Sequence, residues 1–112
     1  MQPQITTIVP TFRRPRLLER AIRSVLAQNY DAFQLCVYDN ASGDETAAVV
    51  ARLARGDPRI KYHRHPCNIG AWNNFKYGLD QVATPYFNFL SDDDALLPGF
   101  FEAALHALES RP

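Results

Sequence analysis

The pattern of this chain predicts a three-layer α/β domain with a mostly parallel sheet, and three observations carry the prediction. Short β-branched or aromatic runs (ITTIV, FQLCVYD, IKYH, YFNFL) alternate along the chain with segments whose apolar residues recur at helical spacing. The 112 residues make one domain, able to bury about two-thirds of its unfolded surface. No linker, low-complexity stretch or internal repeat interrupts the alternation. Strands that alternate with helices imply right-handed crossovers and a parallel sheet with helices on both faces.

The elements follow in order. Ile5 to Val9 is short and β-branched, and Pro10 is expected to stop it as a buried strand. Pro15 is placed to open a helix in which Leu17, Leu18, Ala21, Ile22, Val25 and Leu26 form one face. Phe33 to Asp39 reads as the second strand, and Ser42 followed by Glu45 reads as a capping box for a helix carrying Val49, Val50 and Leu53. Ile60 to His63 is a short third strand after the GDPR turn, Ala71 to Val82 a third helix, and Tyr86 to Leu90 the fourth strand. A last helix, beginning near Pro98, is expected to turn Phe100, Phe101, Ala104, Leu105 and Leu108 to the core.

Composition narrows the function. Lys plus Arg and Asp plus Glu both number 12, so the formal net charge is zero and no global field draws nucleic acid or an anionic membrane. A hydrophobic share of 46% with 12% aromatics is that of a globular protein, and no apolar run approaches the ~20 residues of a membrane span. The opening MQPQITTIVPTFRRP lacks the pattern of a secretory signal, so the cytoplasm is the expected location, with attachment to the inner face of the membrane left open for a larger parent protein. Cys36 and Cys67 have no zinc-type spacing and read as ordinary thiols. His63, His65 and His106 read as loop or surface residues.

The stretch FNFLSDDDALLPG sets Asp92, Asp93 and Asp94 side by side after a buried strand. Adjacent carboxylates repel, and each loses several kcal/mol if dehydrated without a partner, so they require water or a positive group. A solvated turn capping the last helix would meet that need. Two further polar groups fall after other strands, Pro10-Thr11 and Asp39-Asn40. In parallel sheets ligands bind outside the carboxyl ends of the strands, which favours a ligand site on this rim.

Four stretches, in order and at fitting separations, together resemble the nucleotide-binding half of a family 2 glycosyltransferase: IVPTFRRPRLLERAIRSVLAQNY, VYDNASGDET, NIGAWNNFKYGL and FLSDDDALLPG. The resemblance implies a Rossmann-like GT-A fold with strand order 3-2-1-4. It implies an inverting transfer of a sugar from a nucleotide-diphosphate donor, UDP- or dTDP-linked, to an undefined saccharide or lipid acceptor. Pro10 and Thr11 would line the base pocket, and Asp39 would accept the imide N–H of uracil or thymine, a role suited to an acceptor-only carboxylate. Asn40 and Ser42 would shape the turn. Asn68 and Gly70 would form the turn beside the diphosphate, at a helix N-terminus that attracts anions.

Aligned on Pro98, the family's first acidic position is Ser91 here, so Asp92 would contact the ribose and Asp93 would hold Mn²⁺ or Mg²⁺, with Asp94 meeting either a water of the metal or the following helix. An EF-hand is excluded because Leu97 stands where it needs glycine and Ala103 where it needs glutamate. Where many relatives carry an Arg-Asn pair, this chain has Phe75 and Lys76 preceded by Asn74, and Asn74 is counted with the donor-binding residues. Lys76 would meet phosphate or only solvent; of Arg13 and Arg14, Arg13 is taken as the donor-binding residue. Trp72, Phe75 and Tyr77 read as core or groove residues rather than a sugar-stacking platform. The resemblance makes residues 1–112 the donor-binding half, with no catalytic base of its own, because base and acceptor surface would follow Pro112. The last strand would then be an open edge prone to self-association. The alternatives are a non-catalytic nucleotide-binding module or another Rossmann-like domain; a flavodoxin-like domain lacks support because VPTFRRP offers no Gly-rich phosphate loop.

Overall fold

The computed structural model describes residues 2–110. Four strands, β1 (Ile5–Thr11), β2 (Phe33–Asp39), β3 (Ile60–Arg64) and β4 (Tyr86–Phe89), form one parallel sheet in the order β3-β2-β1-β4. They alternate with α1 (Pro15–Leu26), α2 (Thr46–Arg55), α3 (Ala71–Asp80) and α4 (Phe100–Glu109). This is the expected α/β architecture and strand order.

Two cores flank the sheet. On one face Leu18, Ala21, Ile22 and Val25 of α1, Val49, Val50 and Leu53 of α2, and Phe101 and Leu105 of α4 pack against Ile5, Val9, Phe33, Leu35 and Val37. On the other, Ile8, Cys36 and Tyr38 meet Tyr77 and Leu79 of α3. Burial raises the pKa of both the Cys36 thiol and the Tyr38 hydroxyl. Gly78 is required by close approach, since a Cβ there would lie 2.8 Å from the Tyr38 ring and 2.9 Å from Ile8 Cγ2. Both cysteines are free.

Three local expectations are corrected. The first strand does not stop at Pro10 but continues to Thr11, paired with Asp39. Pro10 is tolerated because its missing N–H falls on the β4 side, beyond the last bond there, from Leu90 N–H to Ile8 C=O (3.0 Å). The Ser42–Glu45 capping box does not form. Asp44 instead accepts the Thr46 hydroxyl and the Thr46 N–H (2.9 Å), and the hydroxyl first, then the N–H, hold its carboxyl below the usual range, while Ser42 turns to Asp39. In α4 only Phe101 and Leu105 are buried; Phe100 and Leu108 are 37% and 54% exposed, because a helix at the margin of the sheet meets the core along one narrow stripe.

The path β1-α1-β2-α2-β3 moves outward in one direction and then returns across the opposite face through α3 to β4. The chain reverses between β1 and β4, which makes the crevice at their carboxyl ends the topological switch point. β4 is an open edge in this sheet, with Phe87 and Phe89 about half exposed. No helix among the described residues is long and apolar enough to cross a membrane.

Candidate functional site

The carboxyl ends of β1, β2 and β4 are joined by side-chain hydrogen bonds, some to side chains and some to backbone, between residues far apart in sequence. At the switch point Thr11 donates its hydroxyl to Asp92 Oδ2 (2.8 Å), a buried bond from the end of β1 to the loop after β4. Arg14, immediately before α1, sets Nη1 3.3 Å from Asp92 Oδ1 and 3.4 Å from Asp93 Oδ2. The positive group demanded by the acidic run is therefore, in the first instance, a guanidinium of this chain. Arg13, the arginine expected at the donor, instead bends toward the second junction, with its N–H on Ser42 Oγ (2.8 Å) and Nε on Ser42 C=O (3.1 Å). The missed signal was adjacency: with β1 beside β4, the first residues after β1 stand next to the acidic loop.

The three aspartates differ in environment. Asp92 is 6% exposed and shared between Thr11 and Arg14. Asp93 is half exposed at its side chain, and the Ser91 hydroxyl on Oδ1 (2.6 Å), reinforced by the charges of Arg14 and Arg20, holds its carboxyl below the ordinary range. Arg20 Nη2 also grips the Asp93 carbonyl (2.6 Å) from α1. Asp94 closes the turn through its N–H on Ser91 C=O (3.0 Å).

Asp39, at the end of β2, is 1% exposed. Its Oδ1 accepts the Ser42 N–H (3.0 Å) and hydroxyl (2.6 Å), and its Oδ2 accepts the Tyr62 hydroxyl (2.5 Å). Burial first, and then this bond to a carboxylate, raise the Tyr62 pKa. Ser42 thus links Asp39 to Arg13, beside Arg14 and the acidic loop. Arg13 (φ 55) and Ala41 (φ 63) take left-handed backbone conformations in these two junctions, a cost tolerated where surrounding bonds fix the loop.

The loop before α3 joins the same rim. Asn40 is buried; its N–H bonds Thr11 C=O (3.0 Å), and its Oδ1 accepts the Ile69 N–H (2.8 Å). Asn68 Oδ1 accepts the Gly70 N–H (2.8 Å), and Gly70 (φ 89) sets the entry to α3 in a conformation few other residues adopt. Asn74 is engaged at both ends of its amide, with Nδ2 on Tyr38 C=O (2.9 Å) and Oδ1 2.7 Å from His65 Nε2. Because Nδ2 donates, Oδ1 accepts, which places a proton on His65 Nε2. His65 is accordingly buried, contrary to the surface expectation; its backbone N–H also extends the β3 ladder to Asp39 C=O (2.9 Å). Pro10, Thr11, Phe12, Asn40, Ala71 and Asn74 line a cavity of about 110 Å³ between β1, β2 and α3.

Lys76 is exposed on α3 and paired with Asp80 (3.1 Å). Tyr77 packs on His63, with ring centroids 4.8 Å apart. Trp72, 70% exposed, and Phe75 line an open apolar groove with Pro10, Ala71 and Phe89, so Trp72 is a groove residue and not a core one.

The donor set fits a hard divalent cation. Asp92 Oδ1 and Asp93 Oδ2 already converge on one cationic atom, and carboxylate oxygens suit Mg²⁺ or Mn²⁺. Among the described residues no three His, Cys, Asp or Glu side chains cluster as a complete metal site, so phosphate or water oxygens would have to complete the shell.

An α/β sheet with polar side chains gathered at its switch point is the class of nucleotide-binding folds. The family model for glycosyl transferase family 2 matches residues 6–112, and the chain belongs to that family. It is 42% identical over 98 residues to a GalNAc(5)-diNAcBac-PP-undecaprenol beta-1,3-glucosyltransferase of Campylobacter jejuni, covering 87% of this chain and 32% of that protein. The chain thus spans about a third of that relative's length. Among solved structures, Staphylococcus aureus TarS 1-349 in complex with UDP-GlcNAc superposes with TM-score 0.87 at 21% identity, covering 97% of this chain and 31% of the other. The Pyrobaculum calidifontis mannosyltransferase PcManGT in complex with GDP-Man and Mn²⁺ superposes with TM-score 0.85 at 22% identity, covering all of this chain and 34% of the other. At these identities the structures establish the shared GT-A fold.

Proposed function

We propose that this chain is the donor-binding part of a glycosyltransferase that moves a hexose from a UDP- or dTDP-sugar, with inversion, to an acceptor hydroxyl. The observation that carries this reading is the bonded rim at the switch point, where Thr11, Arg14, Asp92 and Asp93 stand together and Ser42 connects them to Asp39. Asp39 accepts the imide N–H of the base, with Pro10 and Thr11 beside it. Asp92 takes the ribose hydroxyls, and Asp93, with Asp92 nearby, holds Mn²⁺ or Mg²⁺. A cation bound there supplies Lewis-acid stabilisation of the leaving diphosphate.

The chain's own groups do the rest. Arg14 balances the carboxylates, and its guanidinium lies where phosphate charge would arrive. Arg13 fixes the junction that carries Ser42. Gly70 and Asn68 present the free N–H groups at the start of α3 to the diphosphate, and Asn74 serves by anchoring α3 to β2. The 42% identity to a glucosyltransferase whose acceptor is an undecaprenol diphosphate-linked saccharide favours a hexosyl donor and a lipid-linked saccharide acceptor. The open β4 edge, with Phe87 and Phe89 half exposed, supports self-association of this part.

Isothermal titration of UDP and dTDP with and without Mn²⁺ tests the reading. Binding strengthened at least about tenfold by Mn²⁺, a gain of about 1.4 kcal/mol, is expected. No uptake of either nucleotide in the presence of the metal would remove the donor-site assignment.

A further inference from the structure

The two solved structures that share this fold carry different nucleotides, a uridine and a guanosine diphosphate sugar, so the fold itself does not choose the base. The hydrogen bonds around Asp39 supply a criterion. An ionised carboxylate has about four lone-pair positions, two on each oxygen. Oδ1 accepts both the Ser42 N–H (3.0 Å) and the Ser42 hydroxyl (2.6 Å), and Oδ2 accepts the Tyr62 hydroxyl (2.5 Å).

These donors are not free to turn away. Ser42 Oγ already accepts the Arg13 N–H (2.8 Å), which commits its proton to Asp39. The Tyr62 ring packs against the main core, and its hydroxyl is drawn to Asp39 from β3. With Asp39 1% exposed, bulk water has no part in the count.

We propose that Ser42 and Tyr62 are specificity-determining residues that leave Asp39 a single acceptor position, on Oδ2, and so select a base presenting one N–H over a base presenting two. This rests on the reading of Asp39 as the base acceptor. The imide of uracil or thymine offers one N–H and fills the position. Guanine offers two adjacent N–H groups, which pair with one lone pair on each carboxylate oxygen. Oδ1 has none left, so the second donor is buried unpaired, and a binding site discriminates strongly against such a ligand.

The test is titration of UDP and GDP, each with Mn²⁺, into the wild-type protein and the Ser42→Ala, Tyr62→Phe and Asp39→Asn variants, with circular dichroism to confirm folding. The wild type is expected to prefer UDP by about tenfold or more, the cost of one unpaired donor facing a charged group. Ser42→Ala, which frees a lone pair on Oδ1, should narrow that ratio about tenfold, chiefly by tightening GDP. Tyr62→Phe should narrow it less, because it frees a position only on Oδ2, and it keeps the test alive if Ser42→Ala fails to fold. A ratio unchanged within about twofold in the folded variants overturns the proposal, whether both affinities fall together, as for a merely structural role, or rise together, as for a cover that any base displaces. Asp39→Asn reports on the underlying reading separately: if it leaves UDP affinity unaltered, Asp39 is not the base acceptor and both statements fall.

Discussion

Asp93→Ala is expected to abolish the Mn²⁺-dependent part of UDP binding and leave the metal-independent part and the fold in place. Asp93 projects from a loop, is half exposed at its side chain, and supports no core residue, so its loss costs the molecule little structure. What it removes is the more accessible of the two carboxylates that converge on the Arg14 guanidinium. Removing groups that merely support a metal ligand costs about 10- to 100-fold in affinity, so loss of the ligand itself should cost at least that much.

The same residue sets a pH dependence. Its pKa is depressed, mainly by the Ser91 hydroxyl and then by the charges of Arg14 and Arg20, so the charged form persists below the usual carboxylate range. Metal-dependent binding should therefore hold as pH falls from 7 to about 5 and disappear only as pH drops through this lowered value. Ser91→Ala should move the loss toward higher pH. Calorimetry of UDP with Mn²⁺ across that range checks both statements, and a loss of binding already near pH 6 would contradict them.

Phe101→Ala is expected to have the largest effect on stability. Phe101 is fully buried and packs edge-on to Tyr30 at 6.2 Å and tilted against Phe33 at 5.4 Å, which ties α4 to the loop after α1 and the start of β2. Truncating a buried phenylalanine costs about 3–5 kcal/mol through lost burial and the cavity left behind. A domain of this size has only about 5–15 kcal/mol in total, so about a fifth of its stability or more should go. Chemical denaturation followed by far-UV circular dichroism gives the number. A loss below about 1 kcal/mol would mean that α4 is a loosely held appendage.

Secondary structure was legible because it is a local property. Short β-branched or aromatic runs mark the four strands and helical spacing of apolar residues marks the helices, with bounds shifted by only a few residues. Where structure and local pattern differ, a tertiary partner overrides a local preference. Ser42 has the spacing of a capping residue, but a carboxylate at the end of β2 competes for its hydroxyl and wins. His65 follows a strand in a polar stretch, yet a buried amide on α3 requires a donor and draws it inward. Pro10 would end a strand paired on both sides, and β1 has a partner on only one side at that point.

The sequence by itself determined the fold class, the polar groups that follow three of the strands, and through its motifs the family. Only the tertiary structure decided which of these groups meet. That Arg14 and not Arg13 serves the acidic loop depends on β4 lying beside β1, a neighbour supplied from more than 70 residues away. The same contact lets α1 and the segment just after it fasten the loop: Arg20 holds the Asp93 carbonyl, Ser24 the Leu96 N–H, and Gln28, two residues beyond the helix, both the Leu97 carbonyl and the Phe101 N–H. The physical reason is range. Propensity and capping act within a turn or two of the chain, whereas a hydrogen bond between side chains acts over about 3 Å of space and leaves no mark on the spacing of the residues it joins.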